Sequence, residues 1–127
     1  MTQQRADGIN LIRRYGAGFI VIGENEIRES CIVTANSFGP WTPRSVDELM
    51  PEHLAPLFAL NPEVVVLATG ARQVFPRAAL RAEFATRKIG LEVMEIGAAC
   101  RTYNVLVGEE RLVLAGIMLP GPSKGPE

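Results

Sequence analysis

Two short stretches of this chain bring together residue types that can bind or react. Thr69, Gly70, Arg72 and Gln73 stand between the apolar run Val64–Ala68 and Pro76. A strand that ends in a polar, glycine-containing turn and leads into a helix is where α/β proteins hold anions. The first amides of the helix are free there and its dipole is positive. Gly97, Cys100, Arg101 and Asn104 make the second stretch, with Arg101 and Asn104 three apart and Cys100 one helical turn from Asn104. Arg101 offers a forked donor for carboxylates, Asn104 a paired donor and acceptor, and Cys100 a thiol. Open α/β sheets bind ligands beyond the carboxyl ends of their strands. On that rule Thr69, Gly70, Arg72, Gln73, Gly97, Arg101 and Asn104 form a candidate site for a small polar or anionic ligand at the Gly70 and Gly97 turns.

The same residues argue against several specific chemistries. Only one glycine stands in the first turn and no lysine follows, so neither phosphate-loop nor dinucleotide spacing is met. Pro76 also removes an amide from the helix start. A Cys100 nucleophile needs a histidine base, and the single histidine, His53, sits on a distant, proline-broken segment. No catalytic set is complete, and the catalytic residues remain unassigned. Two cysteines and one histidine cannot build a zinc site, so neither a metal nor a cofactor is expected.

The elements that must position these groups follow from pattern. Ile9–Arg13, Phe19–Ile22 and Ile27–Thr34 read as antiparallel strands separated by Tyr15–Gly18 and Gly23–Asn25. In the third, Ile27, Cys31 and Val33 share the apolar face, which makes Cys31 a core residue. The loop ANSFGPWTPR carries Phe38 and Trp41, the candidate partner-binding pair if they are exposed rather than laid over the core. Ser45 to Glu48 has capping-box spacing. Pro51 and Pro56 then break the following stretch into short helical pieces ending near Leu60.

From Asn61 the rhythm changes. Val64–Ala68 is an apolar run without alternation, as in strands buried on both faces. Pro76–Lys88 reads as a helix closed by Gly90, Leu91–Ile96 as a strand, Gly97–Val107 as a helix closed by Gly108, and Arg111–Leu119 as the last strand. The expected fold is a small layered α/β domain: a βαβαβ parallel sheet plus N-terminal antiparallel strands.

A chain of 127 residues with 47% hydrophobic and 21% charged residues has the size and composition of one globular domain. Residues 9–119 form that domain; residues 1–8 read as a flexible N-terminus and 120–127, rich in Pro and Gly, as a disordered tail. The net charge of −1 argues against nucleic acid and against capture by an anionic membrane. The start MTQQRADGIN has no signal-peptide core and no segment is long and apolar enough to span a bilayer, so a cytoplasmic, non-spanning protein is expected.

Thr69-Gly70 with Gln73 and Phe75-Pro76, then the Ala99–Asn104 segment, then Glu110-Arg111, resemble a widespread family of small proteins without established biochemical activity. Its eukaryotic members include a mitochondrial complex I assembly factor and an adipogenesis-associated protein. The resemblance runs from about Ile9 to Pro120. It implies a compact domain joining a mainly parallel sheet to an antiparallel one, and it brings no catalytic residue. The family commonly places a threonine near the start of the third helix, where this chain has Glu95-Ile96-Gly97. By analogy with that family, the leading reading is a non-enzymatic assembly factor or adaptor with a protein partner, in respiratory-complex or membrane-protein biogenesis. It requires Arg72, Arg101 or the Phe38–Trp41 loop to lie on a surface patch. The alternative is a small-ligand binder, or an enzyme of unrecognised type, using the Gly70/Gly97 turns. Homo-oligomerisation is left open.

Overall fold

The structure, a computed structural model, describes residues 2–3 and 8–121, with backbone alone at 2–3. Its strands are β1 (Thr2–Gln3), β2 (Ile12–Gly16), β3 (Phe19–Ile22), β4 (Asn25–Ile27), β5 (Cys31–Thr34), β6 (Ser37–Pro40), β7 (Val64–Ala68), β8 (Gly90–Met94) and β9 (Val113–Ile117). The helices are α1 (Ala55–Ala59), α2 (Ala78–Thr86) and α3 (Ile96–Gly108), and two 3-10 turns precede α1. A six-stranded mixed sheet runs β1-β6-β5-β9-β7-β8, and a three-stranded sheet runs β2-β3-β4. β7 lies parallel to both β8 and β9, as the βαβαβ reading requires. β5 pairs antiparallel with β9, which ties the N-terminal part to the parallel unit. The small sheet is antiparallel throughout.

The large sheet is the middle of three layers, which is why β7 and β9 are buried at every position. Alternate side chains along a strand point to opposite faces. Val64, Val66 and Ala68 enter one core with Ile20 and Ile22 of the small sheet and Ala99, Tyr103 and Val107 of α3. Val65 and Leu67 enter the other with Trp41, Leu49, Leu57, Leu80 and Phe84. An unbroken apolar run is what two covered faces demand.

Several expectations need correction. The third N-terminal strand is two: β4 ends at Ile27 in the small sheet and β5 begins at Cys31 in the large one. Residues 28–30 carry the chain between layers, and Ile32 faces the second core, so β5 is buried on both sides. The first strand starts later, at Ile12, where Ile9 was expected. The stretch taken as a loop contains β6. The Ser45 side chain makes no cap bond; the Glu48 carboxylate instead accepts from the Arg44 amide at 3.0 Å and from its guanidinium. α2 is ended by Lys88 and α3 by Glu110, both in the left-handed region at φ 60 and 62, rather than by Gly90 and Gly108. Thr2–Gln3 form an edge strand beside β6; residues 1, 4–7 and 122–127, on which most of the expected flexible N-terminus and disordered tail fall, lie outside the described residues.

One ion pair fixes the entry to the parallel unit. Glu63 accepts from the Leu112 amide at 3.0 Å and from Arg111 Nε at 3.1 Å, joining the starts of β7 and β9. The Leu112 N–H holds the Glu63 carboxyl below its ordinary value.

Candidate functional site

The Gly70 and Gly97 turns do meet along one rim: the Ile96 amide donates to the Gly70 carbonyl at 2.8 Å. Parallel pairing of β7 with β8 brings both carboxyl ends to the same edge. Gly70 stands at φ +94, which only glycine adopts freely, so the chain turns there without strain. What the candidate side chains do at this rim differs from the ligand reading.

Thr69, 9% exposed, organises its own loop. Its hydroxyl faces the Arg72 carbonyl at 2.6 Å and the Met94 carbonyl at 3.2 Å, and accepts from the Val74 amide at 3.1 Å. Gln73 Nε2 donates to the Val93 carbonyl at 2.9 Å. Successive residues of a strand direct their backbone groups to opposite sides, and the Met94 carbonyl faces β7 through the Thr69 amide. Val93 therefore faces the free edge of the sheet, and Gln73 caps that edge. Arg72 is exposed, and among the described residues its guanidinium donates to no protein group.

The start of α3 already holds an anion of its own. Glu95 accepts from the Gly97 and Ala98 amides, each at 2.7 Å, through its two carboxylate oxygens. A second anion at this helix start would meet that carboxylate instead of free amides. Glu95 thus supplies the side-chain cap of α3. A Cβ on Gly97 would stand 3.1 Å from Glu95 Oε1, 3.1 Å from the Tyr15 ring and 3.2 Å from Arg101 Nη1, so the turn is closely packed.

Arg101 and Asn104 bind the small sheet. Arg101 Nη1 donates to the Tyr15 hydroxyl at 2.6 Å, and its Nη2 lies 4.0 Å from Glu95. Asn104 accepts from the Ile12 amide at 2.9 Å and donates to the Ile12 carbonyl at 3.0 Å, so the amide side chain acts as a neighbouring strand for β2. At the preceding position, the buried Tyr103 hydroxyl donates to the Asn10 carbonyl at 2.7 Å. Gln73 is therefore committed to β8, and Arg101 and Asn104 to β2 at Tyr15 and Ile12. Their contact partners are backbone groups, Tyr15 and Glu95.

Neither thiol is poised to react. Cys31 and Cys100 are free and buried, and burial pushes each thiol up to about 12. A thiol that ionises so late is a poor nucleophile at neutral pH. His53 Nδ1 accepts from the Met50 amide at 2.9 Å, on a segment packed against the opposite face of the sheet from Cys100. Among the described residues no group of three or more His, Cys, Asp or Glu is placed to hold a metal ion, and no helix is long and apolar enough to cross a membrane.

Of the aromatic pair, Trp41 is 6% exposed, its indole N–H donating to the His53 carbonyl at 3.0 Å. Gly116 makes room for it: a Cβ there would lie 3.1 Å from the indole. Trp41 is thus a core residue and not an exposed binding element. Phe38 is half-buried and lines a cleft of about 470 Å³ with Ile27, Glu29, Cys31 and Pro40. Sequence reasoning passed over Val74 and Phe75 as surface residues, yet they are 39% and 58% exposed directly after Gln73. Two adjacent apolar residues inside a polar turn are the signal that marked them.

Known proteins with similar sequence and structure agree with this fold. The chain is 32% identical over 120 residues to NADH dehydrogenase [ubiquinone] 1 alpha subcomplex assembly factor 3 of Danio rerio, covering 93% of this chain and 69% of the relative. It is 26% identical to the 13 kDa major membrane protein of Francisella tularensis, covering 80% of this chain and 84% of that protein. A Xanthomonas campestris protein solved by NMR superposes with a TM-score of 0.86 at 34% identity, covering 100% of this chain and 97% of its own. A Bordetella pertussis Mth938-like domain, 21% identical with a TM-score of 0.80, shares the fold, covering 98% of this chain and 94% of its own. Residues 12–118 match the family described as protein of unknown function DUF498/DUF598, and the chain belongs to that family.

Proposed function

We propose that this protein is a non-enzymatic assembly factor or adaptor that holds a protein partner on the surface beside the β7 turn. One observation carries the reading. The polar side chains of the rim are engaged within the fold, while Val74 and Phe75 face solvent beside an unengaged Arg72 on a loop pinned by Thr69. Arginine and aromatic residues are the side chains that anchor protein interfaces. The names of the assembly-factor relatives support service in respiratory-complex assembly. Membrane-protein biogenesis, a cytoplasmic location and the lack of a cofactor are carried over from the sequence reading as part of the proposal. No self-association is required.

Co-purification of the tagged protein from its own host tests this. Wild type is expected to recover a protein partner above a charge-matched control. Phe75→Ser is expected to reduce recovery about tenfold, as burial of a Phe ring is worth roughly 1.5–3 kcal/mol. Asn25→Ser, in the layer on the other side of the large sheet, is expected to leave recovery unchanged. Recovery indifferent to Phe75→Ser would overturn the reading.

A further inference from the structure

We propose that the ribbon from Arg72 to Lys88 docks an acidic protein segment bearing apolar side chains. This rests on the reading above, that the chain works by holding a protein partner, and it names the chemistry of that partner. Residues 72–88 contain Arg72, Arg77, Arg81, Arg87 and Lys88 against Glu83 alone. The stretch carries +4 in a chain of net −1, which leaves −5 for all the rest. Only Pro76, Leu80 and Phe84 of this stretch are buried.

Elsewhere four arginines meet carboxylates, while Arg13 donates to the Gly23 carbonyl. Arg28 lies on Glu26, Arg44 on Glu48, Arg101 near Glu95 and Arg111 on Glu63. In the ribbon they meet neutral groups. Arg77 Nη1 donates to the Leu49 carbonyl at 3.4 Å, Arg81 Nε donates to the Pro76 carbonyl at 3.0 Å, and Arg87 stacks over the Phe58 ring at 4.3 Å. Among the described residues none of the ribbon's cations pairs with a carboxylate. Carbonyls and rings orient a guanidinium without neutralising it, so these charges are held in place and left for something outside the chain. Side chains already ordered lose less entropy on binding.

The apolar component sits at the same end. Phe75 and Val74 are exposed between Arg72 and Arg77, and Met50, 43% exposed, follows the residue whose carbonyl holds Arg77. The scale selects a peptide segment over larger polyanions. The nine residues of α2 span about 14 Å, the reach of roughly four extended residues. A bilayer or a long nucleic acid is far longer than α2 and would also meet residues beyond the ribbon, whose net charge is −5. A short acidic segment meets the ribbon alone.

Fluorescence anisotropy with a labelled peptide of alternating glutamate and leucine tests the proposal. A lysine–leucine peptide, vesicles of phosphatidylglycerol and phosphatidylcholine, and oligothymidine serve as competitors. The wild-type protein is expected to prefer the glutamate–leucine peptide, with affinity falling about tenfold between about 0.05 and 0.5 M salt. Arg72→Glu, Arg77→Glu and Arg81→Glu combined are expected to weaken it on the order of a hundredfold, and Phe75→Ala about tenfold. The combined lysine variants at the same positions are expected to retain binding, which separates loss of charge from loss of fold. Arg14→Glu on β2 is expected to change affinity less than about twofold. Equal binding of the lysine–leucine peptide, indifference to the triple reversal, or preference for vesicles or oligothymidine would overturn the proposal. If partner recovery depends on Phe75 while peptide binding ignores the arginines, the docking reading stands and this chemistry falls. If partner recovery ignores Phe75, both fall.

Discussion

At the scale of single residues, the polar side chains that looked fit for a ligand are fastenings. Asn104 shows this most directly, since its amide closes both backbone groups of Ile12. Asn104→Ala leaves two backbone groups of an edge strand without partners and is expected to cost about 2 kcal/mol in urea unfolding. A loss below a few tenths would mean that water replaces the amide easily. The thiols give a second expectation. Burial raises Cys31 and Cys100 from 9.0 to about 12 in the folded state, so between about pH 9 and 12 the unfolded chain releases protons that the folded chain retains. Stability attached to these groups is full below pH 9 and lost as pH rises toward 12. The urea midpoint is expected to fall across that window, and Cys31→Ala with Cys100→Ala is expected to flatten the fall. The roles of these side chains were hidden because the partner of Asn104 lies 92 residues away and the carbonyl that Gln73 caps lies 20 away. Local spacing shows what a residue offers, and only the fold shows what takes it up.

At the scale of elements, the parallel unit was readable because its signals are local. Val64–Ala68 carries no alternation, as a strand buried on both faces requires, and the expected Pro76–Lys88 helix is present as Ala78–Thr86, with Pro76 just before its N-cap Arg77. The division between β4 and β5 was passed over, although Glu29 on the apolar face and Ile32 on the polar one break the alternation of a single strand where the chain changes sheets. Left-handed Lys88 and Glu110 took the places expected of glycines because the choice rests on how each helix joins its next strand. The loop that presents Phe75 depends on Thr69. Thr69→Val keeps the shape and removes the hydroxyl that receives the Val74 amide. It is expected to cost about 1 kcal/mol and to raise hydrogen exchange at Val74 roughly tenfold. Amides of Val65–Leu67 and Leu114–Ala115, in the doubly covered strands, are expected to exchange slowest. Slow exchange confined to the small sheet would contradict the placement of the core.

At the scale of the whole molecule, the large sheet separates two surfaces with different work. On one side α3 and the small sheet use their polar groups on each other. On the other, α2 and the turn before it present cations and an exposed aromatic to solvent. Sequence composition concealed this, because a net charge of −1 averages a basic ribbon against an acidic remainder. The central claim is that a partner is held on the second surface. Photo-crosslinking in the host, from a benzophenone side chain placed at Val74 and separately at Asn25, tests it most directly. The account expects a discrete protein adduct from position 74, lost when Arg72, Arg77 and Arg81 are reversed, and none from position 25. An adduct from 25 alone, or adducts from 74 that ignore the reversal, would contradict it.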